Sequence, residues 1–213
     1  MNSHMGSLPL LDVPYFQQTR TATCGPACLM MVMKYWDPSL KFSRKMEFYL
    51  WKKSYSLFMF GGTFQYGLAV AATTLGYTTE IYQKTRFSDG YPKYPELATL
   101  IERMVSHKAL RLHISIQYGY ENIRVVDDAL RQKIPPIVFI NLLPLLDENV
   151  FHWVVVTGLD EHMVYINDPY IPREFSGTQK KNHPVPRDDF SKALATQTGK
   201  TLRLPSCVVL IRP

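Results

Sequence analysis

The chain has 213 residues, 46% of them hydrophobic, and a net charge of +6. This composition is ample for a packed core, and no stretch approaches the roughly 18–20 apolar residues of a membrane span, so we expect none. The basic residues are scattered and do not form the stripe or run typical of nucleic-acid-binding proteins, so we expect no nucleic-acid partner.

The cysteine count and the chain start bear on compartment and domain number. Three cysteines, an odd number, argue against a disulfide framework and favour a reducing compartment, so we predict a cytoplasmic protein. Residues 1–7, MNSHMGS, look like a cloning scar and not like a signal peptide. Because no long linker divides the rest, we predict a single domain over residues 8–213.

Helices dominate the first half of the chain. An extended segment (8–16) and a polar loop (17–23) precede an apolar helix over 25–36, opened by Pro26 and ended by Asp37-Pro38. Most aromatic side chains of residues 40–60 are expected in the core. Further helices are predicted over 40–60, 65–75, 94–108 and 125–133, and strands over 78–82 and 112–116.

Strands dominate the second half of the chain. The candidates are 137–142, 152–157 and 163–167, followed by a loop over 169–186, a helix over 187–195 and a last strand over 206–211. Residues 158–162 predict a hairpin connection between the second and third of these strands. This separation of helices from antiparallel strands predicts an α+β fold.

Cys24 stands at the start of the first predicted helix. Unpaired amides and the positive end of the helix dipole lower the pKa of a thiol in such a position, and the polar loop before it leaves the sulfur partly exposed. A buried free cysteine, however, usually acts as a small hydrophobe, and the local sequence leaves both roles open. Cys28, one turn further on, and Cys207, on the apolar last strand, are expected to be packing residues.

His152 and Asp168 stand on the two strands of the predicted hairpin, sixteen residues apart. Counting across the turn places residue 152 opposite residue 168, so a carboxylate can bond the imidazole ring and fix its tautomer. No other histidine has an acid placed on a neighbouring strand. The ordinary alternative for Asp168 is a turn role, since it precedes Pro169.

Gln18 lies six residues before Cys24, where its side-chain amide could donate into an oxyanion hole. Gln17 beside it is a rival that the residues alone do not exclude. A zinc site at Cys24 and Cys28 is disfavoured because structural zinc sites more often show two short-spaced ligand pairs. We therefore predict no metal and no other cofactor.

Together these motifs resemble the bacteriocin-processing cysteine peptidases, papain-like domains that clip double-glycine leader peptides at peptide-exporting ABC transporters. The resemblance lies in Gln-x5-Cys-Gly-Pro-Ala, His-Trp-Val-Val-Val and Asn-Asp-Pro. It implies a papain-like fold whose nucleophile helix packs on a C-terminal antiparallel sheet. It also implies Cys24 as the nucleophile, His152 as the base, Asp168 as its orienter and Gln18 in the oxyanion hole.

From near residue 11 to the end, the chain is similar to a stand-alone peptidase-like branch of prokaryotes. Members are often found beside or fused to acetyltransferase-like or ATP-grasp ligase domains, which implies such a partner. The chain departs from the transporter peptidases because we expect no transporter behind it and because the segment between cysteine and histidine is longer. The inserted stretch, around 38–110, is expected to cover or border the cleft, so the resemblance alone does not imply cleavage after Gly-Gly.

These residues predict hydrolysis of a peptide or amide bond through an acyl-enzyme on Cys24. Two alternatives stay open. The same acyl-enzyme could serve an acyltransferase, a transpeptidase or a deamidase, because the machinery is common to all of them. A catalytically silent peptide-binding module could also keep the cleft, although binding alone requires none of the four residues.

Overall fold

The computed structural model describes residues 10–56, 61–91, 93–170, 181–195 and 206–213. The predicted cloning scar at residues 1–7 and much of the predicted loop over 169–186 lie outside this part of the chain. Within it, no helix has the length and apolar character that crossing a membrane requires.

The helices are α1 Cys24–Trp36, α2 Arg44–Ser54, α3 Gln65–Thr73, α4 Pro95–Arg111, α5 Asn122–Arg131, α6 Leu143–Leu146 and α7 Arg187–Ala195. The strands are β1 Thr78–Gln83, β2 Ser115–Tyr118, β3 Ile137–Asn141, β4 Phe151–Leu159, β5 Met163–Asn167, β6 His183–Pro186 and β7 Cys207–Arg212. These elements confirm the predicted α+β class.

The described strands form one sheet in the order β2-β1-β7-β3-β4-β5-β6. All neighbours in this sheet are antiparallel except β1 and β2, which are parallel. Two parallel strands need a crossover connection, and α4 supplies it between β1 and β2. The predicted antiparallel sheet is therefore extended at one edge by a parallel pair.

Helix α1 lies at the centre of the fold. Every residue from Gly25 to Met33 is buried, as expected for a helix that is apolar on all sides. It packs against β4 of the sheet and, on its other sides, against α2 and α3. The predicted packing of the nucleophile helix on the sheet is thus confirmed.

Helix α2 is shorter than the helix predicted over 40–60. Ser43 caps its start, since the Ser43 hydroxyl accepts a hydrogen bond of 3.1 Å from the amide of Met46. The expectation that most aromatics of this segment are core residues is wrong for the described ones: Phe48 is 50% exposed, Tyr49 is 43% exposed, and Phe42 and Trp51 are half-buried. Phe58 and Phe60 lie outside the described residues. The buried face of α2 carries other residues, namely Glu47, Leu50 and Ser54.

Two elements escaped prediction, the short helix α6 and the strand β6. β6 contains Pro184 and Pro186, which disfavour a strand assignment from sequence. It lies at the edge of the sheet, where a residue without an amide hydrogen is tolerated. The strand predicted over 112–116 begins later, at Ser115, because α4 continues to Arg111 and His113 turns the chain with a φ of 55°.

Candidate active site

Cys24 is half-buried at the first position of α1. The helix can begin here because Gly25 has no side chain: a Cβ at this position would lie 2.9 Å from the Cβ of Thr63. The Thr63 carbonyl in turn accepts a 3.0 Å hydrogen bond from the Trp153 indole. The start of α1 is therefore held against the strand that carries His152.

His152 lies on β4 and is 4% exposed, and Asp168 directly follows β5 and is 7% exposed. The structure brings them together, with 2.6 Å between His152 Nε2 and Asp168 Oδ1. The same carboxylate oxygen accepts a 2.8 Å hydrogen bond from the Tyr170 amide, which fixes its orientation. The role of Asp168 as an orienter stays a prediction, but the contact it requires is present.

The predicted register of this hairpin is wrong. Val155 pairs with Asn167 and Val156 with Ile166, so continuing the register places Asp168 opposite residue 154 and not opposite His152. β4 runs to Leu159, past its predicted end, and a bulge lies between Val156 and Gly158. The observed register therefore differs from the predicted one by two residues, which leaves His152 and Asp168 on the same face of the sheet. Their contact is diagonal across the two strands and not between directly opposite residues.

The N-terminal segment carries Gln18 to the end of the same strands. The Tyr15 hydroxyl donates to the backbone carbonyl of Asp168 at 3.0 Å, and the backbone amide of Gln18 donates to the Pro169 carbonyl at 3.0 Å. Gln18 is half-buried, whereas its rival Gln17 is exposed. Of the two glutamines, Gln18 is the one that these bonds tie to the His152–Asp168 pair.

The side chain of Gln18 is engaged by its own loop. Its Nε2 donates to the carbonyls of Arg20, at 2.8 Å, and Thr21, at 3.2 Å. Its Oε1 is buried and has no hydrogen-bond partner within the described residues. Because the amide nitrogen carries two hydrogens, one of them must leave a loop carbonyl before Gln18 can donate to a substrate oxygen.

The pKa of His152 is set by opposing effects. Burial is the largest of them and lowers it, but the charge of Asp168, the hydrogen bond to Asp168 and the interaction with Cys24 raise the pKa to about 10. The imidazolium form is therefore favoured at neutral pH. Burial raises the pKa of the Cys28 thiol well above its usual value, and likewise that of Cys207. These two thiols are expected to be unreactive.

Replacing Asp168 by asparagine should lower the pKa of His152, because the negative charge that raises it is lost while burial, which lowers it, remains. In the parent this pKa lies above the ordinary value of 6.5, so protonated His152 contributes stability that is full below that pH and is lost as the pH rises towards 10. We expect the urea midpoint of the parent to fall over this interval and that of Asp168→Asn to fall less. Equal slopes in the two proteins would contradict this origin of the shift.

Sequence reasoning missed one residue beside the site, Glu47 on α2. Glu47 is 1% exposed, and its carboxylate accepts hydrogen bonds from Thr19 and Thr23 in the loop before Cys24. A signal existed, since Glu47 shares the buried face of α2 with Leu50 and Ser54 at helical spacing. An acid on the buried face of a helix requires partners, and here the loop supplies them.

The insertion over 38–110 contacts the loop before Cys24 through Glu47, while its expected place over or beside the cleft stays a prediction. Helix α2, which belongs to it, and the loop before Cys24 enclose a groove of about 480 Å³. The groove is lined by Thr19, Arg20, Ala22, Thr23, Arg44, Glu47, Phe48 and Trp51. The exposed ring of Phe48 stacks on Trp51 with 5.3 Å between the ring centroids and gives the groove an apolar wall.

Solved structures share this fold over nearly the whole chain. The peptidase domain of Streptococcus ComA, a bifunctional ABC transporter involved in quorum sensing, is 17% identical with a TM-score of 0.53 and covers 94% of this chain and 98% of its own. A protein assigned as a C39-like peptidase from Bacillus anthracis is 14% identical with a TM-score of 0.55, covering 96% and 97%. These likenesses confirm the predicted papain-like peptidase fold.

A third structure is a double-glycine-motif protease from an AMS/PCAT transporter in complex with its leader peptide, 17% identical with a TM-score of 0.50, covering 96% of this chain and 94% of its own. No curated protein matches the chain. The Peptidase_C39 like family, in contrast, matches residues 13–210. The match spans far more than half of the sequence, and the chain belongs to this family.

Proposed function

We propose that this protein is a cysteine peptidase or amidohydrolase that cleaves a C–N bond through an acyl-enzyme on Cys24. The observation that carries the proposal is a half-buried cysteine at a helix start that interacts with an imidazole, which a carboxylate in turn holds at 2.6 Å. Membership of a peptidase-like family supports the same reaction class. A nucleophile, a base and an orienting group in contact are the signature of covalent catalysis.

Acylation begins with the Cys24 thiolate attacking the substrate carbonyl carbon. Because Nε2 of His152 contacts Asp168, Nδ1 is the ring nitrogen that exchanges a proton with the thiol. The oxyanion accepts a hydrogen bond from the backbone amide of Cys24, which has no partner within α1 because Cys24 is the first residue of the helix. The Gln18 side-chain amide is the second donor, after it releases a loop carbonyl.

Collapse of this intermediate breaks the C–N bond, and protonated His152 gives its proton to the leaving amine. Neutral His152 then removes a proton from water, which attacks the thioester carbonyl. The second collapse breaks the C–S bond and releases the acid and the Cys24 thiolate, and the proton taken from water stays on His152, which restores the thiolate–imidazolium pair. Asp168 stabilises the imidazolium throughout and holds the ring in one orientation.

A peptide is the substrate class that we propose. The AMS/PCAT protease that shares this fold was solved with a leader peptide bound, and the groove between α2 and the loop that precedes Cys24 offers this chain an apolar wall. The single domain over residues 8–213, the cytoplasmic location and the acetyltransferase or ATP-grasp ligase partner stay predictions.

A test needs no knowledge of the natural substrate. A mixed peptide library is incubated in ¹⁸O-labelled water with the parent and with Cys24→Ala. Each reaction is run with and without an added amine, and the product masses are measured by mass spectrometry. New C-termini that carry ¹⁸O only with the parent are the expected result. Peptides capped by the amine would redirect the proposal to acyl transfer, and unchanged peptides together with an unacylated Cys24 would replace it with a silent binding module.

A further inference from the structure

The Glu47 carboxylate accepts three hydrogen bonds from the described residues, all of them from the loop that precedes Cys24. One carboxylate oxygen accepts from the Thr19 amide at 2.7 Å and from the Thr23 hydroxyl at 2.5 Å. The other accepts from the Thr19 hydroxyl at 2.5 Å. A buried carboxylate has only acceptor sites and is costly without donors, so these bonds hold the loop on α2.

The two threonines that Glu47 binds stand at the two ends of this loop. Thr19 directly follows Gln18, and Thr23 directly precedes Cys24. The Glu47 carboxylate therefore bridges Thr19 and Thr23. These are the direct neighbours of the two proposed oxyanion-hole donors, the Gln18 side chain and the Cys24 backbone amide. No other described contact of the loop joins the same two ends through a side chain of another element.

The internal bonds of the loop do not replace this bridge. The Thr23 hydroxyl also lies 2.8 Å from the Arg20 carbonyl, but it has one proton, and the carboxylate at 2.5 Å is the nearer acceptor. Without the carboxylate this hydroxyl would turn to Arg20, and Thr19 would lose the acceptor of both its amide and its hydroxyl. The helix that carries Glu47 is itself fixed, since it is capped by Ser43 and packs on α1 and α3.

We propose that Glu47 is a positioning residue that sets the separation between the Gln18 side chain and the Cys24 backbone amide, the two donors of the oxyanion hole. This inference rests on the proposed function. Glu47 contacts none of Cys24, His152 and Asp168 by a hydrogen bond in the described structure, so its effect is confined to steps in which an oxyanion develops. Misplacement of a catalytic group by about 1 Å costs on the order of 10²-fold in rate.

Two probes separate this role from a structural one. Acylation of Cys24 by p-nitrophenyl acetate passes through an oxyanion, whereas alkylation of the same sulfur by iodoacetamide is a substitution at carbon and forms none. Glu47→Met keeps the length of the side chain but removes both carboxylate oxygens, so no acceptor remains for Thr19 or Thr23. We expect acylation to fall by about 10- to 10²-fold, with alkylation within about 2-fold of the parent.

Glu102→Met is the matched control. Glu102 is also a buried carboxylate, 7% exposed, and it accepts hydrogen bonds from Tyr66 and Ser88, away from Cys24. Its substitution should alter stability without changing the ratio of acylation to alkylation. If Glu47→Met does not fold, Thr19→Val removes one of the same contacts from the loop side and should change the ratio in the same direction.

The possible results separate the positioning role of Glu47 from the proposed catalysis at Cys24. A selective loss of acylation that shrinks when Gln18 is already alanine supports a role exerted through the oxyanion hole. An equal loss of both reactions, or no loss of either, overturns the positioning role while the proposed function stands. A parent protein whose Cys24 is alkylated but never acylated overturns both.

Discussion

Replacing His152 by alanine should slow the acylation of Cys24 by p-nitrophenyl acetate by about 10²–10⁴-fold, the range that a positioned acid–base group contributes. Cys24→Ala should abolish acylation altogether, because it removes the acceptor atom. The physical reason is the pair with Asp168, which raises the pKa of His152 to about 10 and so keeps a cation beside the sulfur at neutral pH. Stopped-flow measurement of p-nitrophenolate release, with mapping of the acetylated peptide, checks both results.

The control for this prediction addresses folding. His152→Ala leaves the buried Asp168 carboxylate without its partner, which is itself destabilising. His152→Gln keeps a hydrogen-bond donor for Asp168 but cannot transfer a proton, so it should fold better and be equally slow. His162→Ala, at an exposed turn position, should match the parent. Acylation at the parental rate in His152→Gln would contradict the assignment of the base.

Gln18→Ala is expected to slow acylation by about 10²–10³-fold, the usual cost of one oxyanion-hole donor. Its alkylation by iodoacetamide should stay near that of the parent, because the thiolate and its imidazolium partner are untouched. The comparison of the two rates in one variant measures the oxyanion contribution without a natural substrate.

Gln17→Ala is the matched control for this second prediction, since Gln17 is adjacent, chemically identical and exposed. We expect it to be neutral. A damaging Gln17→Ala together with a neutral Gln18→Ala would reverse the assignment. A neutral result for both would mean that Gln18 keeps its bonds to Arg20 and Thr21 during the reaction and serves only the loop.

Local signals in the sequence predicted most of the elements of the fold. The strand β5 over Met163–Asn167 and the helix α7 over Arg187–Ala195 have the predicted bounds, and α1 begins one residue before its predicted start. Each of these has an apolar period and a clear terminator nearby. The order of the strands in the sheet does not follow from such local signals, because it depends on which distant segments share the core. The parallel pairing of β1 with β2 therefore could not be read from either strand.

The candidate site shows the same limit at finer scale. The contact between His152 and Asp168 was predicted, but from a wrong register, because Gly158 was assigned to the hairpin connection, whereas it lies inside β4 beside a bulge. The contact survived because the error was an even number of residues. Glu47 was missed because its function depends on a loop 24–28 residues away in sequence, and only folding brings the two together.

The thiolate–imidazolium pair is tested most directly by the alkylation rate of each cysteine at neutral pH, resolved by peptide mapping, in the parent and in His152→Ala. We expect Cys24 to react much faster than Cys28 and Cys207, whose thiols are buried, and this advantage to disappear without His152. If Cys24 reacts as slowly as the two buried cysteines, or as fast without His152 as with it, the thiolate–imidazolium pair does not exist and the proposed mechanism fails.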